Sequence, residues 1–95
     1  MIEINRKNLT TLLSTEEKDD LTNYIYNLLK NHSSDDSAVV NLSGIKTNED
    51  VTLIATVYTK MISIKVRVTG RNTNEAIRKF KIHFSKEIER NKTKL

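Results

Sequence analysis

The chain has 95 residues, of which 37% are hydrophobic and 29% charged, and this length suits one domain of ordinary size. It contains no cysteine, which excludes a disulfide framework, a thiolate metal site and a cysteine nucleophile. No apolar run reaches the roughly eighteen residues of a membrane span. The start of the chain also lacks the basic and apolar regions of a secretion signal. We therefore expect a soluble cytoplasmic protein with no membrane partner.

The net charge of +4 is unevenly distributed along the chain. Residues 1–59 hold five basic and nine acidic residues, a net charge of −4. Residues 60–95 hold eleven basic and three acidic residues, a net charge of +8. Because a one-sided basic field attracts polyanions, residues 60–95 are the first candidate for a functional surface.

The first part of the chain predicts a strand and a helix. Residues 1–5 alternate, with Ile2 and Ile4 on one side, and residues 6–8 follow as a polar connection. Ser14 and Glu17 have the spacing of a helix capping box. The apolar face of the helix that follows consists of Leu21, Tyr24, Ile25, Leu28 and Leu29. Lys30 is predicted to close this helix, and residues 31–37 to form a polar loop.

Three strands and a second helix are predicted next. The strands cover residues 38–43, 51–58 and 62–69, with a turn at residues 44–50. The last strand has the clearest period of two, with Ile62, Ile64, Val66 and Val68 on one side and Ser63, Lys65, Arg67 and Thr69 on the other. Residues 70–72 break the pattern, and Asn72 with Glu75 marks the start of the final helix. The apolar stripe of this helix consists of Ala76, Ile77, Phe80, Phe84 and Ile88.

The element order β-α-β-β-β-α predicts an α+β fold. A right-handed crossover places the first strand parallel to a neighbour, giving a four-stranded mixed sheet. Each helix has a single apolar face, so both helices are expected to pack on one face of the sheet. The other face is then expected to expose Thr52, Thr56, Ser63, Lys65 and Arg67.

The sequence offers little for catalysis. His32 lies in a polar segment with Ser33, Ser34, Asp35 and Asp36, but the spacing fits no nucleophile or metal motif, and a solvated loop explains it better. His83 is expected on the rim of the final helix, facing solvent or RNA. There is no glycine-rich phosphate loop. We therefore expect no enzyme, no cofactor and no metal.

The final helix is strongly basic, which favours nucleic-acid binding. The cations expected to face outward in this region are Lys65, Arg67, Arg71, Arg78, Lys79, Lys81, Lys86, Arg90, Lys92 and Lys94. Two structural explanations stand beside this one: cations in the last turn complement the helix dipole, and charges on an edge strand deter aggregation. Aromatic residues make up only 5% of the chain, so recognition of structured RNA fits better than stacking on single strands.

Several stretches resemble the short ribosome hibernation-promoting factors, also called protein Y. The most specific one runs from Gly70 to Ile77, ahead of the Phe80, Phe84, Ile88 stripe and the basic residues that lead to Leu95. The opening strand with Arg6, Lys7 and Asn8 is similar to the family's first strand and basic turn. The resemblance covers essentially the whole chain and is most specific in its last quarter.

The resemblance implies a ribosome-binding protein that acts without covalent chemistry. Family members bind the small ribosomal subunit between head and body, occlude the mRNA and tRNA sites, inhibit translation and protect idle ribosomes in stress and stationary phase. The family's rRNA-facing positions correspond to Arg6, Lys86, Arg90, Lys92 and Lys94. Charge geometry adds Lys7, Lys65, Arg67, Arg71, Arg78, Lys79 and Lys81.

The resemblance also sets expectations about organisation and partners. Residues 1–95 are expected to form a single ribosome-binding domain of the short type, without the C-terminal domain by which long members pair ribosomes. The protein is expected to be monomeric off the ribosome and to bind the small subunit and its rRNA, but not DNA. A separate ribosome modulation factor is a further candidate partner.

Two alternatives remain open from the sequence. A double-stranded-RNA-binding domain would place its α-β-β-β-α core over residues 14–95, but its lysine pair ahead of an alanine is replaced here by Asn74 and Glu75 before Ala76. The extra first strand also counts against it. The third possibility is a small protein-interaction module whose basic face binds an acidic partner.

Overall fold

The computed structural model describes residues 2–9, 12–32 and 37–95, and its elements follow the predicted order. The strands are β1 (Ile2–Lys7), β2 (Ala38–Thr47), β3 (Asp50–Tyr58) and β4 (Ser63–Gly70), and the helices are α1 (Thr15–His32) and α2 (Thr73–Arg90). A short 3-10 turn, Lys92–Lys94, follows α2. The sheet has the order β1-β2-β3-β4, with β1 parallel to β2 and the other pairs antiparallel. The predicted α+β fold with a mixed four-stranded sheet is confirmed.

Both helices cover the same face of the sheet, and the core lies between them and the strands. The buried side chains of the helices are Leu21, Ile25 and Leu29 of α1 and Ala76, Phe80, Phe84 and Ile88 of α2. Alternate residues of each central strand complete the core, as the period of two predicted. Contacts from Asp20 to Lys81 and from His32 to Glu89 join the helices near corresponding ends, so α1 and α2 run in the same direction.

The helix starts agree with the capping signals in the sequence. The backbone N–H of Glu17 donates to Ser14 Oγ (3.1 Å), and the Glu17 carboxylate accepts from the backbone N–H of Ser14 (2.8 Å). At the second start, Asn72 Oδ1 accepts from the backbone N–H of Glu75 at 2.8 Å. Each helix therefore begins where a polar side chain satisfies backbone donors that the helix itself leaves unpaired.

The first strand and the first helix are longer than predicted. Arg6 and Lys7, expected in a polar connection, are the last residues of β1, because they pair in register with Leu42 and Ser43 of β2. Helix α1 ends at His32 rather than Lys30, with His32 Nδ1 3.8 Å from Glu89 Oε2 of α2. Because this contact is made by polar side chains, the apolar periodicity of the sequence could not predict it. Met1 and residues 33–36 of the predicted loop lie outside the described residues.

The predicted turn at residues 44–50 is wrong, because β2 continues through Gly44 to Thr47. The reversal occurs at residues 48–49, where Asn48 adopts a left-handed conformation (φ 53°) that asparagine tolerates. Gly44 marks a close approach rather than a turn. A Cβ there would lie 2.6 Å from Leu12 Cδ1 and 2.9 Å from Leu9 Cδ2, two side chains of the β1–α1 connection that close this end of the core.

The open face of the sheet differs from the prediction most clearly at Thr52. Thr52 was expected in solvent but is only 7% exposed, because it lies on the central strand β3 between Ile45 and Thr69. Its hydroxyl is 2.9 Å from that of Thr69, so burial leaves neither hydroxyl unpaired. Ser63, Lys65 and Arg67 are exposed on this face as predicted, and Thr56 is half-buried there.

Candidate nucleic-acid interface

The outward flank of α2 carries a continuous row of basic side chains, which we call the α2 stripe: Lys79, His83, Lys86 and Arg90. Their spacing of i, i+4, i+7 and i+11 keeps them on one flank of a helix and spreads them over about 16 Å. His83, Lys86 and Arg90 are exposed and Lys79 is half-buried. The same periodicity buries Phe80, Phe84 and Ile88, so core packing fixes the direction of the stripe.

Two carboxylates accompany the α2 stripe. Lys79 Nζ lies 3.1 Å from Glu75 Oε1, and Arg90 Nη1 lies 3.0 Å from Glu87 Oε1. Lys79 Nζ also donates to the backbone carbonyl of Thr69 on β4, at 3.1 Å. The hydrogen bond from Lys79, supplemented by the backbone N–H and the charge of Arg71, lowers the pKa of Glu75 below its ordinary value of 4.5. Surface pairs of this kind contribute little to stability, so Lys79 and Arg90 can each exchange a carboxylate for a phosphate.

Replacing Lys79 by methionine should raise the pKa of Glu75. The lowered pKa makes Glu75 stabilising above the ordinary glutamate pKa, and this contribution is lost as the pH falls through the folded-state value. In Lys79→Met this stabilising contribution is lost at a higher pH, although Arg71 still favours the ionised form of Glu75. Carboxyl-carbon NMR titration measures the shift, with Lys86→Met as the matched control. A Glu75 pKa that is the same in Lys79→Met and the native chain would contradict the assignment.

Lys81 faces α1 rather than the stripe. Its ammonium lies 2.9 Å from Asp20 Oδ2 and 5.4 Å from the centre of the Tyr24 ring. The Tyr24 hydroxyl in turn donates to the backbone carbonyl of Lys81 at 3.0 Å. These contacts give Lys81 a structural role at the helix–helix seam. Arg78 is exposed on the outer surface of α2 and makes no salt bridge with a carboxylate of the described residues.

The basic residues after α2 are held close to its end. The 3-10 turn places Leu95 in the core, where it is 7% exposed, while Lys92 and Lys94 remain exposed. Lys92 Nζ lies 2.8 Å from Glu89 Oε1, and this hydrogen bond with its ion pair lowers the pKa of Glu89. The turn therefore adds two exposed cations just beyond the last residue of α2.

The remaining predicted site residues lie elsewhere. Lys7, Lys65 and Arg67 are exposed on the open face of the sheet, on the side opposite α2. Arg6 points to the helix side, where Arg6 Nη1 lies 3.2 Å from Asp19 Oδ1 of α1. Arg71 is exposed in the turn before α2. The twelve predicted residues therefore do not form one surface: the structure groups most of them on and after α2 and separates the three on the sheet.

A groove of about 560 Å³ lies between the C-terminal ends of α1 and α2, beside the stripe. Its lining residues are Leu28, His32, Ser85, Lys86, Glu89 and Arg90. His32 therefore contacts α2 instead of lying in a solvated loop. Within residues 2–9, 12–32 and 37–95, no group of three or more histidine, cysteine, aspartate or glutamate side chains is placed to hold a metal. None of the helices in this part of the chain is long and apolar enough to cross a membrane.

Known proteins match this chain in fold rather than in sequence. Neither a family model nor a curated protein sequence matches the chain. Solved structures do match. A ribosomal subunit interface protein from Coxiella burnetii aligns with a TM-score of 0.72 and 8% identity over 98% of this chain and 98% of that chain. The N-terminal domain of Protein Y from Thermus thermophilus aligns with a TM-score of 0.57 and 10% identity over 96% of this chain and 89% of that chain.

These neighbours confirm the resemblance noted in the sequence at the level of the fold. The sequence resembled the protein Y family over essentially the whole chain, most specifically in its last quarter, and the two structural alignments cover 98% and 96% of this chain. The class that fold and surface together define is a small α+β domain with one basic helix flank.

Proposed function

We propose that this protein is a ribosome hibernation factor that binds the small ribosomal subunit between head and body. Bound there, it occludes the mRNA and tRNA sites, inhibits translation and protects the idle ribosome. The observation that carries the proposal is the fold match over 98% of the chain to a ribosomal subunit interface protein. The action requires occupation only, so no residue has to perform covalent chemistry.

The α2 stripe and the cations after it supply the proposed contact with rRNA. Among the described cations that form salt bridges, Arg90 has the most exposed side chain, at 73%. Lys86 has no carboxylate partner among the described residues. Side chains of this kind bind phosphates and release condensed counterions, which makes the affinity steeply dependent on salt. Arg6, near the end of β1, would contact rRNA only by exchanging its α1 partner Asp19 for a phosphate.

Reversing the charge of Arg90 and Lys92 together should weaken binding to small subunits by at least about tenfold. The double change to glutamate should also reduce the slope of log affinity against log salt by about 2, one for each lost phosphate contact. Folding should be nearly unaffected, because each residue loses only an exposed i, i+3 pair. Co-sedimentation with purified small subunits at increasing salt measures both quantities.

The matched control is Lys46→Glu with Lys60→Glu, which changes the net charge equally at exposed positions outside α2. Its binding should stay within about threefold of the native protein, because long-range charge effects are screened at physiological salt. Equal losses of affinity for small subunits in both variants would show that α2 is not part of the interface. Equal affinity of the native protein for small subunits and for any RNA duplex would favour the double-stranded-RNA-binding alternative.

A further inference from the structure

The open face of the sheet has an organised surface of its own. Its exposed apolar side chains lie on the two central strands: Val39 and Ile45 on β2, and Tyr58 on β3, with the half-buried Ile54 between them. Val39, Ile45 and Tyr58 are 37%, 47% and 47% exposed. Nothing in the described part of the chain packs on this face, because both helices lie on the other one.

The cations of this face lie on the two outer strands. Lys7 of β1 and Arg67 of β4 occupy the two ends of one cross-strand row, with Ser43 and Ile54 between them. Lys65 occupies the β4 end of the next row. The three cations make no salt bridge with a carboxylate of the described residues, unlike Lys79, Lys81, Arg90 and Lys92 on the helix side.

The dimensions of this arrangement match an α-helix. Four strands span three spacings of about 4.8 Å, so the flanking cations stand about 14 Å apart across the sheet. A helix with its side chains is about 10–12 Å wide. Val39 and Ile45 are six residues apart on one strand, about 20 Å, which is the length of a helix of about 13 residues.

We propose that the open sheet face binds an amphipathic helix of a protein partner, with an apolar stripe and acidic flanks. The stripe packs along Val39, Ile45, Ile54 and Tyr58, as α1 and α2 pack on the opposite face. The acidic flanks meet Lys7 on one side and Lys65 and Arg67 on the other. The carboxylates on this face, Glu3 and Asp50, lie towards its opposite ends and leave the central rows positive.

Two other occupants fit less well. A second copy that paired sheet to sheet would bring these cations against one another without carboxylates in the central rows. Nucleic acid would leave the aliphatic side chains of Val39, Ile45 and Ile54 against a polar ligand, whereas interfaces with nucleic acid are more polar than those between proteins. The proposal concerns the face opposite α2 and does not depend on ribosome binding.

The test uses two synthetic peptides of about sixteen residues with the same leucine stripe, one flanked by glutamate and the other by lysine. Each is titrated into the isotope-labelled protein, and backbone amide shifts are followed by NMR. The acidic peptide should bind at least about tenfold more tightly than the basic one, with shifts centred on Val39, Ile45 and Tyr58. Lys65→Glu with Arg67→Glu should reverse this preference.

The control is Arg78→Glu with Lys86→Glu, which makes the same change in net charge on α2. It should bind the acidic peptide within about threefold of the native protein, since these residues face away from the sheet. Equal binding of both peptides, or shifts centred on α2, would overturn the proposal. So would tighter binding of a twelve-nucleotide oligouridine to the same sheet residues, or the same shifts produced by raising the protein concentration alone.

Discussion

Replacing Phe84 by alanine should reduce the free energy of unfolding by about 3–5 kcal/mol, the usual cost of emptying a buried aromatic site. Phe84 is fully buried, and its ring stacks on that of Phe80 with centroids 5.2 Å apart and an interplanar angle of 16°. Both rings lie between α2 and the sheet, where neighbouring strands cannot move inward to fill the space. For a domain of this size, such a loss is a large part of the total stability.

Chemical denaturation monitored by circular dichroism measures this effect. Ile82→Ala is the matched control, because Ile82 lies on the same helix but is 48% exposed. Its substitution should change the free energy of unfolding by no more than about 0.5 kcal/mol. A loss below about 1 kcal/mol for Phe84→Ala would show that the aromatic pair does not form the centre of the core.

Gly70→Ala should cost about 1–3 kcal/mol or more, although it adds a single methyl group. The new Cβ would lie 2.5 Å from the Ala76 backbone nitrogen and 2.9 Å from Ala76 Cα. These are backbone atoms of the first turns of α2, which no side-chain rotation can displace. The end of β4 and the start of α2 would have to separate, and Asn72, which caps α2, lies between them.

Gly44→Ala provides the comparison, because the close contacts of its new Cβ would be with the ends of the Leu9 and Leu12 side chains. Those side chains can change rotamer, so Gly44→Ala should be the less destabilising of the two. Thermal unfolding of both variants shows directly which of the two is less stable. A Gly44→Ala variant less stable than Gly70→Ala would mean that the β1–α1 connection is more rigid than the β4–α2 junction.

Much of the fold could be predicted because its signals are local. The period of two in β4 identified Ile64, Val66 and Val68 as buried, and the capping residues Ser14 and Asn72 located both helix starts. The predictions that were wrong concern features that depend on contacts between residues far apart in the sequence. Gly44 suggested a turn, but it lies within β2, where it pairs with Leu53 of β3 and the side chains of Leu9 and Leu12 approach it closely.

The residues of the candidate site could be predicted from the sequence, but their arrangement only in part. The sequence identified Lys79, Lys86 and Arg90 as outward-facing cations, and the structure places them on one flank of α2 with the exposed His83 between them. The contact of Lys81 with Asp20 depends on how two helices meet, and no spacing within α2 encodes it. The position of Lys65 and Arg67 on the opposite face was predicted from the period of two in β4 and the packing of both helices on one face, and the structure confirms it.

The central claim, that the protein occupies the mRNA and tRNA sites of the small subunit, is tested most directly by competition. Small subunits programmed with mRNA are titrated with the labelled protein at several fixed concentrations of tRNA. We expect mutually exclusive binding, so that the apparent Kd of the protein rises in proportion to the tRNA concentration once tRNA exceeds its own Kd. An apparent Kd independent of tRNA, with both ligands on the same subunit, would contradict it.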